Sequence, residues 1–102
     1  MKEYITAHKL KIDPNHFSDI WCGLLTAQIR KNDRNFSVGD KLLLHETVYT
    51  AEEMSEKGRP LEYTGNVIVA NVTHILKDIY SFPQDIVVMS IIVESYMHKS
   101  RY

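Results

Sequence analysis

Polar and apolar side chains alternate along residues 4–12: His8, Leu10 and Ile12 share one face and Lys9 and Lys11 the other, the two-residue period of a half-buried strand. Asp13-Pro14 then supplies a helix N-cap and a proline at the first helical position, where its missing N–H costs nothing. Phe17, Ile20 and Trp21 follow at i, i+3 and i+4 as one apolar stripe aimed at the core, and Gly23 ends this short helix as a left-handed cap. A second strand is predicted over residues 24–30, with Thr26, Gln28 and Arg30 on one face and Leu25, Ala27 and Ile29 on the other. Asn32-Asp33-Arg34-Asn35 reads as a turn, and Val38-Gly39-Asp40 as a second, tighter one. Residues 41–49 form a third strand with Leu42, Leu44, Glu46 and Val48 on one side. Residues 51–61, polar and carrying Gly58 and Pro60, read as the one long loop, with room for a helical turn at Ala51-Glu52-Glu53-Met54. Residues 66–76 and 86–93 are strands apolar on both faces, the pattern of central rather than edge strands. A short connection holding Pro83 joins them, and residues 94–102 are a polar tail.

Five strands and one early short helix predict an α+β fold, a small and mostly antiparallel β-barrel. With 102 residues and no repeat or low-complexity break, the chain reads as one domain, its core over about residues 5–93. Composition, 44% hydrophobic and 25% charged, argues against disorder. A formal charge of -1 excludes a globally basic nucleic-acid binder and leaves room for a local basic patch. A single cysteine, Cys22, has no internal disulfide partner, which points to a reducing compartment. The first residues lack an apolar signal core and no apolar run is long enough to span a bilayer, so a cytoplasmic protein with no membrane partner is expected.

A set of spaced residues resembles a known family. It comprises His8-Lys9-Leu10-Lys11-Ile12, Pro14 with Phe17 and Ile20, Gly23, Ile29 through Arg34 with Phe36, Val38-Gly39-Asp40, and Leu42 and Leu44 with Glu46. Tyr63-Thr64-Gly65, Val72-Thr73 with Ile75-Leu76, and Val87-Val88-Met89-Ser90-Ile91 complete it. Together these are similar to the ASCH domain group of the PUA-like superfamily, and within it to a small bacterial and phage branch of unknown function. The resemblance implies a PUA-like pseudo-barrel whose cleft, near the helix and residues 23–30, receives RNA or a nucleobase. Some ASCH relatives hydrolyse an acylated cytidine with a lysine and a threonine or glutamate from the corresponding segment, plus a further glutamate. Here Leu25 stands where that lysine would be and Gln28 where the glutamate or threonine would be, leaving Gly23 and Arg30 of the motif. Leucine is neither a nucleophile nor a proton carrier, and an amide is no general base.

The ligand-binding candidates are Lys9, Lys11, Gln28, Arg30, Lys31, Arg34, Glu46 and Tyr63, each with a plainer alternative. Arg30 has the planar fork for a phosphate or base edge, or serves as an ion-pair partner, with Glu46 the chosen mate because both sit on adjoining strands. Glu46, sharing a face with Leu42 and Leu44, needs a cation or donors if that face is inward. Lys9, Lys11, Lys31 and Arg34 either track a phosphate chain or form a solvated face. Trp21 and Tyr63 each have the aromatic face to stack on a base; the helical spacing of Trp21 with Phe17 favours core packing for it, and Tyr63 has packing beside its turn as the plainer alternative. The histidines are scattered, none at a ligand spacing with a supporting acid or cysteine, so no metal and no cofactor are expected. Ser90 and Cys22 have no neighbouring base for nucleophilic catalysis. The resulting expectation is a non-catalytic module binding RNA or a modified nucleoside. An amidohydrolase acting on an acylated cytidine is the first alternative. A phage or mobile-element interaction module, using residues 51–61 and the tail, is the second.

Overall fold

The computed structural model describes residues 4–98 and resolves the polarity pattern into seven elements. In chain order these are β1 (Ala7–Ile12), α1 (Pro14–Trp21), β2 (Ala27–Lys31), β3 (Lys41–Thr47), α2 (Ala51–Lys57), β4 (Tyr63–Leu76) and β5 (Ile86–His98). The strands form one sheet in the order β1-β3-β4-β5-β2, with β1 parallel to β3 and the other three pairings antiparallel. The fold is therefore α+β as expected, but the sheet is mixed and open. Irregularities between Val69 and Ala70 and between Val72 and His74 interrupt the long β4–β5 ladder, and such bulges bend a strand and increase its twist. The sheet curls into a half-barrel.

The expected closed barrel is not formed because β1 and β2, the two edges, do not pair. Arg30 Nη2 instead donates to Lys11 O at 2.9 Å, and Arg34 Nη1 donates to Lys9 O. Side-chain donors thus hold the β1 carbonyls that a neighbouring strand would otherwise use, which also protects an exposed edge from pairing with other chains.

The inner face carries the core. Leu10, Ile12, Leu42, Leu44, Ile68, Ala70, Val72, Val87, Met89 and Ile91 project from the sheet and are closed over by Phe17 and Ile20 of α1 and by Phe36. Trp21 departs from the expectation: it is 53% exposed, at the rim, with its ring 4.9 Å from that of Tyr96. Successive helical residues are about 100° apart, so with Ile20 fully inward Trp21 turns past the contact. The polarity of β2 is likewise reversed from simple hydropathy. Gln28 is buried and Ile29 is 63% exposed.

Residues 51–61 hold a full second helix rather than a loop. Thr50 Oγ1 accepts from Glu53 N and Glu53 Oε1 accepts from Thr50 N, a reciprocal capping box, and Gly58 closes the helix at φ +66°. Residues 94–98 are not a tail but continue β5, pairing with β4, which starts at Tyr63, three residues ahead of the expected Asn66. Residues 99–102 lie outside the described residues.

Candidate ligand-binding cleft

Because β1 and β2 diverge at the seam, a cleft of about 450 Å³ remains between them, lined also by residues from both helices. Ile12, Leu25, Ala27, Ile29, Ala51 and Met54 make apolar walls, and Lys11, Asp13, His16, Gln28, Arg30 and Thr47 supply the polar groups. Asp13 joins β1 to α1 at the N-cap position, yet its side chain makes no capping hydrogen bond to that helix. Its Oδ1 accepts from Ala51 N, the first residue of α2, and so ties the two helices together beside the cleft. Thr47 is buried at the inner end of β3, its hydroxyl 2.7 Å from Tyr49 O and 3.2 Å from Ile12 O.

Arg30 and Gln28 stand two residues apart and therefore on the same face of β2. Gln28 Oε1 accepts from Arg30 Nε at 3.2 Å and from Nη2 at 3.0 Å, while Gln28 Nε2 donates to Ala27 O at 3.0 Å. A guanidinium only donates, so this pairing also fixes which end of the Gln28 amide is oxygen. With Nη2 reaching Lys11 O as well, three of the five Arg30 N–H groups are occupied. Among the described residues, none accepts from Nη1. Burial lowers the Arg30 pKa, Arg34 repels in the same direction, and Asp13 and Asp33 oppose both. The guanidinium nevertheless stays charged at neutral pH, since arginine titrates far above it.

A family profile described as a domain of unknown function, DUF3850, matches residues 7–91. The chain belongs to the DUF3850 family. No curated protein matches it. The matched span encloses every residue lining the cleft of this DUF3850 domain.

Of the expected ligand-binding residues, Lys11, Gln28 and Arg30 line the cleft. Lys9, Lys31, Arg34, Glu46 and Tyr63 are not among its lining residues. Lys9 Nζ lies 5.3 Å from the centre of the Tyr63 ring, which also meets His45 edge-on. Lys31 pairs at 3.7 Å with Asp85, both well exposed. Glu46 is not the mate of Arg30: its Oε1 accepts from Thr64 Oγ1 at 2.8 Å and Asn66 Nδ2 at 2.9 Å. The physical reason is a register shift. Between the His45–Val67 and Thr47–Tyr63 pairs, Glu46 alone faces three β4 residues, and its carboxylate clasps that bulge around Gly65, at φ +96°.

Sequence reasoning missed Asp13, His16, Thr47 and Met54 as cleft residues. The spacing of Thr50 and Glu53 was the available signal for α2, and through it for Met54. It also missed a buried pair outside the cleft lining, His8 Nε2 and Asp40 Oδ2 at 2.9 Å, where Asp40 Oδ2 also accepts from Ser37 N. Residues 32 apart give no local signal. The described residues include no group of three or more His, Cys, Asp or Glu placed to hold a metal, and no helix long and apolar enough to cross a membrane.

Proposed function

We propose that this DUF3850 domain is a non-catalytic binding module of the PUA-like, ASCH type, taking RNA or a modified nucleoside into the cleft beside Arg30. The observation that carries the proposal is the cleft itself. Its volume, about 450 Å³, suits a single nucleoside, and its lining combines apolar side chains with a held, half-buried Arg30 whose Nη1 has no acceptor among the described residues. The non-catalytic half of the reading rests on Leu25 and Gln28, which line the cleft where the acylcytidine-hydrolysing relatives carry lysine and glutamate or threonine. The Gln28 amide oxygen is already engaged by Arg30. Lys9, Lys31 and Arg34, outside the cleft lining, are the candidates for following the flanking phosphates.

The test is titration of a short single-stranded RNA and of free nucleosides into wild type and Arg30→Ala, each checked for an intact fold. The expected result is about tenfold weaker binding in the variant, the size of one lost charge-assisted contact. RNA affinity should also fall with added salt. Equal affinity in wild type and variant would remove the cleft from the interface.

A further inference from the structure

We propose that Gln28 selects the ligand class of the cleft by denying Arg30 the clamp that grips phosphate and carboxylate, so that the ligand is an uncharged ring held through a carbonyl oxygen. This deepens, and for the ring rests on, the nucleoside reading. A guanidinium grips an oxyanion best with two parallel N–H groups, from the Nε/Nη2 edge or the Nη1/Nη2 edge. Here both edges are compromised. Gln28 Oε1 covers the first, at 3.2 Å from Nε and 3.0 Å from Nη2, and Lys11 O, 2.9 Å from Nη2, interrupts the second. Nη1 remains as a donor group, which matches a single carbonyl oxygen.

Gln28 is suited to the task because it is itself fixed. It is 7% exposed, and its Nε2 is anchored on Ala27 O, so the amide cannot swing away without breaking three hydrogen bonds. The surroundings act in the same direction. Leu25, Ala27 and Met54 line the cleft, and an anion entering beside them would lose water without gaining a two-point clamp. The Asp13 carboxylate lines the same cleft and disfavours a second negative charge. Lys11 is exposed, so its ammonium stays solvated and contributes little to an anion held deeper inside. Gln28 is therefore a positioning residue: it acts on the ligand through Arg30.

The experiment is an NMR titration of the isotope-labelled full chain, following the Arg30 Nε–H signal and the backbone amides of the cleft with two probes, uridine and inorganic phosphate. In wild type, uridine should shift these signals, and phosphate should bind there at least about tenfold more weakly than in Gln28→Leu, where the Nε/Nη2 edge is released. Gln28→Glu should show no such gain, since a carboxylate still covers both N–H groups. Gln28→Met, similar in length but lacking the acceptor, replaces Gln28→Leu if that variant does not fold. Phosphate binding at Arg30 as tight in wild type as in the released variants would overturn the inference, even if RNA still binds through Arg30. If neither uridine nor RNA engages the cleft, the nucleoside reading and its ring ligand fail. The phosphate comparison then decides the role of Gln28 separately, a gain on release supporting it and no gain overturning it.

Discussion

Replacing Arg30 with alanine tests whether the seam between β1 and β2 is held as a unit. The substitution removes three donated hydrogen bonds, two to Gln28 Oε1 and one to Lys11 O. The acceptors are not equivalent. The Lys11 carbonyl bond is exposed, so water replaces the lost donor at little cost. Gln28 is buried and, among the described residues, its Oε1 accepts from Arg30 alone, so this oxygen loses both donors, a cost of about 1–3 kcal/mol. Relief of burying a partly desolvated cation, together with regained side-chain freedom, offsets part of this. The net expectation is a loss of about 1–2 kcal/mol, or a melting temperature lower by roughly 4–8 °C per kcal/mol in a domain of this size. Gln28→Leu removes the acceptor together with the polar group that needs satisfying. In the Gln28→Leu background, Arg30→Ala should therefore cost about 1 kcal/mol less than in wild type. Urea unfolding of the four proteins, monitored by circular dichroism with unchanged m-values, measures all the terms. Additive single effects, or an Arg30→Ala variant as stable as wild type, would refute the account of the seam.

Two further stability predictions follow from contacts elsewhere in the sheet. Asp40→Ala should destabilise the domain by about 2–4 kcal/mol, because it strands both His8 Nε2 and Ser37 N beside a carboxylate site only 2% exposed; a loss below about 1 kcal/mol on chemical unfolding would show that the pair carries little stability. Glu46→Gln should cost less than about 1 kcal/mol, since an amide oxygen still accepts from Thr64 and Asn66, whereas Glu46→Leu should cost about 1–2 kcal/mol; either change should add to Arg30→Ala without coupling, and measured coupling would restore the ion pair that the bulge geometry rejects.

The sequence alone determined the elements whose signals are local. Alternation in β1, the Asp13-Pro14 helix start, and the apolar segments 67–70 of β4 and 86–89 of β5 each depend on neighbours a few residues apart. Arg30 and Gln28 were also legible as one face of one strand, because a period of two is a property of the backbone. What the tertiary structure decided was partnership. Whether Arg30 meets Glu46 or Lys11 O depends on how far the sheet curls and on a bulge opposite Glu46, and both arise from packing over dozens of residues. The same holds for His8 and Asp40, and for Trp21, whose periodicity was right while the extent of the surface beneath it was not. Local sequence fixes which way a side chain leaves the backbone. Only the closed set of long-range contacts determines what stands opposite, and at the seam that set left β1 and β2 apart, with Arg30 bridging them, Arg34 of the following connection holding a second β1 carbonyl, and a cleft between.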